Sequence, residues 1–309
     1  MKKKNTKILI LILLVMFLTG CTKILKDEDG KTVTNKKTGQ NITENIFCQP
    51  TNKDVKKIYK ENKIDITVLP KCDEFKITDG GYEGLWTTVF VKPLAWFILL
   101  VNNVVRNPGL AVMIAGILLR LAMFPVTKKT ASQSENMKKA APDIEKIDKK
   151  YKGKTDQQSM MMASQEKLMI YKKYNISPLS GCLFAILQLP IFFAFYEAIN
   201  RVPAIFEKNF LGLQLGTTPV VGIGNGNFLY IIVILLIVAT TYYSMNNNAK
   251  GDGDQAKQMQ SMTKFMVVFI FVASLFLPAA TALYWISSST FTIVQNIIVK
   301  KGSVGNGKI

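Results

Sequence analysis

Six apolar blocks separated by polar segments organise the chain, at about 85–105, 109–126, 180–200, 227–245, 265–277 and 279–299. Each is a near-continuous apolar run with no period-2 alternation, the pattern of helices long enough to enter or cross a hydrocarbon layer. Residues 127–178 have a different texture. Met137, Ala140 or Ala141, Ile144, Ile147 and Tyr151 fall at spacings of three and four, Gly153 interrupts, and Met161, Leu168 and Tyr171 resume the stripe. That predicts a two-helix hairpin with a narrow apolar seam and lysines on its outer faces. Met160, Met161, Met162 and Met169 either close this seam or form an adaptable surface for apolar partners. Residues 22–84 are polar, with twelve Lys and eleven Asp or Glu among Asn, Thr and Gly, and predict a flexible or weakly folded stalk.

Charge fixes the topology. Residues 127–178 hold twelve Lys against six acidic residues, so they belong on the cytoplasmic side. If block 85–105 crossed the bilayer, the next block would return outward and strand this lysine-rich segment outside. Lys92-Pro93 in its middle and Trp86 and Trp96 beside it predict instead an amphipathic helix lying along the outer surface. Five spans remain (about 109–126, 180–200, 227–245, 265–277 and 279–299), the last two joined by a tight outer hairpin at Leu277-Pro278, with Lys300 and Lys301 inside. The fold class is an all-α integral membrane protein: five transmembrane helices around a hydrophilic groove, an outer interfacial helix and a cytoplasmic helical hairpin.

Composition agrees, with 49% of the 309 residues hydrophobic and a mean hydropathy of +0.19. The formal net charge of +18 could suggest nucleic acid, but Lys and Arg flank the apolar blocks, where they orient a membrane protein or touch anionic lipid, so DNA is not a partner.

Polar residues inside the blocks carry the candidate chemistry. "ILLRLAMFPV" at 117–126 holds Arg120, although an arginine near the bilayer centre costs about 2.5–3.5 kcal/mol on insertion scales. The second span carries Gln188 before Pro190, with Tyr196 two turns along. The last span places Thr281, Trp285, Ser288, Thr292 and Gln295 at intervals of four, three, four and three, one face of one helix. Together with Arg120 this stripe implies helices around a polar, hydrated cavity. No acidic residue occurs in the five spans until Glu197, so Arg120 either reaches Glu197 through water or serves a mobile anion such as an acidic polypeptide.

Absences narrow the chemistry further. The chain has no His, which excludes Ser–His proteases, H-E-x-x-H metalloproteases and His-ligated zinc. There is no P-loop, and "GIGNGN" at 222–227 has only the look of one. Ser287-Ser288-Ser289 has no general base among the spans. The expectation is a non-enzyme without metal or cofactor.

At the N-terminus, Lys2, Lys3, Lys4 and Lys7 precede the short apolar run Ile8 to Phe17, a signal-peptide pattern over 1–20. It closes with Leu18-Thr19-Gly20-Cys21, which resembles the lipobox of bacterial lipoproteins and implies lipidation of Cys21, leaving 21–84 as a lipid-anchored segment outside the cell. In that oxidising compartment Cys48 and Cys72 either pair or stand as separate thiols. Cys182, at the start of a span, reads as a small apolar residue.

Three motifs, "GLAVMIAGILLRLAMFPVTKKTASQSENMKKAAPDIEKIDKKY", "SPLSGCLFAILQLPIFFAFYEAI" and "FLPAATALYWISSSTFTIVQN", in this order resemble the YidC-type membrane protein insertases, in particular the lipoprotein form of Gram-positive bacteria, over about 85–300. The resemblance implies that Arg120 is the arginine of a hydrophilic groove lined by Gln188, Tyr284 and Trp285, and that the lysine-rich hairpin receives clients. It implies nascent membrane proteins as clients, the Sec translocon, the ribosome and membrane lipids as partners, and a monomer. The tail after Val299 has ten residues with three Lys, shorter than in ribosome-binding members. Two other classes predict differently: an anion channel or transporter would use Arg120 as its selectivity charge, and a lipid-anchored scaffold would act through 22–84.

Overall fold

The computed structural model describes residues 22–177, 180–246 and 254–305. The predicted signal peptide, Cys21 and the end of the tail lie outside them. The chain divides into two compact units: one of residues up to Gly116 with Leu189–Ile234 and Leu275–Tyr284, the other of Ile117–Gln188, Leu235–Ser274 and the residues from Trp285 onward.

The first unit contains a surprise for composition. Residues 22–84 are folded, against the expectation of a flexible stalk. Isolated bridges pair Ile24 with Thr43, Lys26 with Thr32 and Thr34 with Asn41. Helix α1 (Lys53–Glu61) follows, capped by Asn52, whose side chain accepts from the amides of Asp54 and Val55. Val55 and Tyr59 of α1 pack with Leu25, Ile42, Ile46 and Phe206, and the Tyr59 hydroxyl donates to the Thr43 carbonyl. A Cys48–Cys72 disulfide closes the far side. The segment folds because its few apolar residues converge on one side and take Phe206 from a remote part of the chain, while the cross-link restricts the unfolded ensemble.

A π-helical turn, Thr87–Val91, leads into α2 (Lys92–Val105), which Arg106 ends in the left-handed conformation at φ 54°. This stretch is two-sided. Val91, Ala95, Ile98 and Leu99 are buried, whereas Leu85, Val89, Trp96, Leu100 and Val104 are exposed.

Three helices form the middle of the chain: α3 (Pro108–Ala122), α4 (Phe124–Lys150) and α5 (Gln157–Lys173), capped by Asp156. The last two make the predicted hairpin. Its seam holds buried Ala140, Ile144 and Ile176, with Met137, Ile170, Tyr171 and Tyr174 against them. Lys173 and Tyr174 each donate to Asp143 at 3.0 Å, and the Lys173 hydrogen bond foremost holds the Asp143 carboxyl below its ordinary value.

Then come α6 (Ser180–Arg201), the short α7 (Pro203–Phe206), a two-residue hairpin of β1 (Asn209–Phe210) and β2 (Leu213–Gln214) in antiparallel register, and α8 (Pro219–Gly224). Helices α9 (Leu229–Asn246), α10 (Asp254–Ser274) and α11 (Ala279–Gly305) complete the order. The predicted turn at Leu277-Pro278 is tied down in the first unit, where the amides of Ala279 and Ala280 donate to the carbonyls of Thr217 and Leu215 at 3.0 and 2.9 Å.

Among the described residues, Thr87–Val105 and Ala279–Lys300 are by length and composition able to cross a membrane. Pro108–Ala122 with Phe124–Lys150 makes a third only across a 62° bend, and Leu229–Met245 and Thr263–Ser274 are shorter apolar helices. Helix length thus differs from the five-span count read from the sequence. The 85–105 block, expected on the outer surface, is one of the two that are long enough.

Candidate functional site

In the second unit the predicted polar residues meet. Arg120 lies in the last turn of α3, half-buried, and its Nε donates to Ser288 Oγ on α11 at 2.6 Å. Ser288 is 2% exposed. One turn on, Thr292 donates to the Ser288 carbonyl at 3.0 Å, a bond that satisfies its hydroxyl within its own helix. A further turn on, buried Gln295 accepts from the Thr127 hydroxyl of α4 at 3.0 Å. One turn before Ser288, the Trp285 indole donates to Thr241 Oγ1 of α9 at 2.9 Å. The stripe at 285, 288, 292 and 295 is therefore a real face of α11, bonded in turn to α9, α3 and α4, which fixes the rotation of α11 among its neighbours.

The remaining predicted residues lie elsewhere. Tyr284 belongs to the first unit, 1% exposed and stacked on Phe195 with ring centroids 4.0 Å apart. Thr281 is buried in that unit too. Gln188 is half-buried on α6 and, among the described residues, does not join the hydrogen bonds around Arg120. Thr127 and Thr241, which complete the site, were not legible: they are single hydroxyls whose role depends on the register between helices.

Glu197, weighed above only as a water-bridged partner of Arg120, is engaged within the first unit. It accepts from the Trp86 indole at 2.9 Å and from Arg201 Nη1 at 3.3 Å. Arg201, 1% exposed, also pairs with Glu83, donates to the Asn45 carbonyl and lies 3.8 Å from the Phe47 ring centroid. Lys92, wholly buried, reaches Glu83 at 2.9 Å and the Asp79 and Gly81 carbonyls at 2.7 and 2.6 Å. Two cations and two carboxylates thus lock residues 45–83 to α2 and α6 within the first unit. Only the Glu197–Arg201 spacing of four was visible in the sequence.

Burial raises the Glu83 carboxyl, but the hydrogen bonds and charges of Arg201 and Lys92 outweigh it, so its net value falls below the ordinary 4.5. A folded value below the unfolded one stabilises the unit above the unfolded value, and this contribution is lost as pH falls through the folded value. The thermal midpoint of the intact protein in detergent, followed by tryptophan fluorescence, is expected to hold down to about pH 5 and fall below it, less steeply in Glu83→Gln.

A family model described as 60Kd inner membrane protein matches residues 100–306. The chain belongs to this family, that of the YidC-type membrane proteins. The "Membrane protein insertase YidC" of Oceanobacillus iheyensis is 35% identical over 240 residues, covering 76% of this chain and 92% of that protein. "Membrane protein insertase MisCA" of Bacillus subtilis is 32% identical over 216 residues, covering 70% of this chain and 79% of that protein. In fold, the chain is similar to the solved structure titled "Active YidC insertase crystal structure with the first transmembrane domain resolved", with a TM-score of 0.53 and 23% identity. That match covers 78% of this chain and half of the solved one.

Proposed function

We propose that this chain is a membrane protein insertase of the bacterial cell membrane, which integrates nascent membrane proteins without nucleotide hydrolysis. The observation that carries the reading is the bonded polar face of α11 around Arg120, set within apolar helices. A hydrophilic client tail, best an acidic one, enters beside Arg120, Ser288, Thr292, Gln295 and Trp285, with Gln188 contributed by α6. A guanidinium in a low-dielectric setting attracts a carboxylate strongly. Hydrating part of the path lowers the desolvation cost of moving a polar tail across. The client's apolar segment then moves into lipid, driven by its own burial.

The topology proposed with this function has five spans with the C-terminus inside, a lipid anchor at Cys21, and α2 at the outer interface. The two-sided burial of α2 supports the last of these: its exposed residues would face acyl chains while its other side stays on the folded 22–84 segment. The Sec translocon and ribosome are proposed as occasional partners, and the chain as a monomer.

The test is complementation of cells depleted of their own insertase, scoring a small single-span protein with an acidic translocated tail. Insertion restored by this chain supports the reading. A chain that is produced and membrane-bound yet restores nothing overturns it.

A further inference from the structure

A cavity of about 440 Å³ lies in the first unit, where the segments 49–51 and 71–73 meet α1, α2 and α7. Lys56 of α1, Lys71, Asp73 and Asn102 of α2 give it its polar chemistry, beside the apolar Leu99 and Ala204. Its walls are tied together independently of any ligand. The Cys48–Cys72 disulfide joins the two segments, the Gln49 amide donates to the Pro70 carbonyl at 2.9 Å and the Gln49 side chain donates to the Leu69 carbonyl at 2.6 Å. The Asn103 side chain donates to the Asp73 carbonyl at 3.4 Å, which fastens the second segment to α2. A cavity built this way binds with little ordering cost.

Charge and polarity select the ligand. Lys71 reaches Glu74 at 3.6 Å, between side chains 70 and 64% exposed, a contact that a better-placed anion displaces at little cost. Lys56 belongs to the exposed lysine face of α1, with Lys53, Lys57 and Lys60, opposite the buried Val55 and Tyr59. Two lysines against Asp73 leave the cavity one net positive charge, the match for a singly charged anion. Ammonium groups with three donors each suit phosphate oxygens. Asp73 accepts, and the Asn102 side-chain oxygen is buried without a hydrogen-bond partner among the described residues, so the site is also short of a donor. A phosphodiester that carries neutral hydroxyls meets all three demands. On the adjoining side of α2, Leu100 and Val104 are 45 and 78% exposed and offer apolar chains a surface to lie along. We propose that this cavity holds the glycerol phosphate headgroup of an anionic phospholipid of the outer leaflet. The lipid as source rests on the placement of α2 at the outer interface given above; the phosphate chemistry of the cavity does not.

The test titrates the purified full chain in detergent with short-chain phosphatidylglycerol, the matching phosphatidylcholine and free glycerol phosphate, and counts bound molecules by native mass spectrometry. One phosphatidylglycerol is expected to bind roughly ten times more tightly than phosphatidylcholine, and roughly a hundred times more tightly than free glycerol phosphate, which lacks the apolar chains. Lys56→Gln with Lys71→Gln is expected to weaken phosphatidylglycerol about tenfold. Lys53→Gln with Lys57→Gln makes the same change of charge on α1 outside the cavity and is expected to alter it by no more than about twofold. All four lysines are exposed, so these substitutions leave the core of the unit intact. Equal loss in the two double variants overturns the proposal, as does equal affinity for the two lipids. Binding of free glycerol phosphate that depends on Lys56 and Lys71, beside phosphatidylglycerol binding that does not, overturns the lipid as source and counts against the interfacial placement of α2. Client insertion by the wild-type chain is scored separately, so a failure of the insertase reading shows there and not in the lipid titration.

Discussion

Arg120→Ala is expected to cut insertion of a client with an acidic tail by roughly 10- to 100-fold, the equivalent of about 1.5–3 kcal/mol for a lost hydrogen bond to a charged group. Arg120→Lys keeps the charge and is expected to retain most of the activity. A client with a neutral tail should feel the alanine change less, because the guanidinium contributes attraction only where an anion arrives. The fold should survive both changes. Arg120 is half-buried, and its bond to Ser288 at 2.6 Å goes to a neutral hydroxyl, so losing it costs no more than about 1.5–3 kcal/mol in net stability. Measuring protein level and insertion together, for both clients and all three chains, separates an effect on the groove from an effect on folding.

The largest effect on stability is expected at Arg201, not at Arg120. Arg201→Met preserves much of the side-chain volume but leaves Glu83 with Lys92 as its remaining cation and strands Glu197, whose side chain is 5% exposed. Removing one partner of a buried pair costs about 3–5 kcal/mol, since the other charge stays buried and unmatched. The variant is expected to melt well below the wild type in detergent and to be cleaved by protease within 22–84, the segment that Arg201 ties down through Asn45 and Phe47. Adding Glu197→Gln should recover part of the loss, because it removes the orphaned carboxylate. A single Arg201→Met chain that melts with the wild type would show that the cluster contributes little.

How much of this was legible depends on whether a feature is local. The polar face at 285, 288, 292 and 295 could be read because helical periodicity is a property of one segment. Its partners Thr127 and Thr241 could not, because interhelical register is set by the whole packed unit. The fold of 22–84 was hidden for a related reason. Counting lysines and asparagines gave no weight to Leu25, Ile42, Ile46, Val55 and Tyr59, which are few but converge, nor to Phe206, which arrives from far along the chain. Spacing in the hairpin predicted its seam in α4 correctly at Ala140 and Ile144. In α5 it assigned Met161 and Leu168 to the wrong side. Spacings of three, four and seven describe either face of a helix, and ion pairs such as Lys167–Asp148 decide which one turns inward.

The most direct measurement places the purified chain alone in liposomes, without nucleotide, and follows protease protection of the acidic tail of a single-span client, beside a chloride-flux assay on the same vesicles. The account predicts a protected tail with the wild-type chain, a loss of roughly tenfold or more with Arg120→Ala, and no chloride flux. Chloride flux without tail protection, or equal protection by wild type and Arg120→Ala, would contradict it.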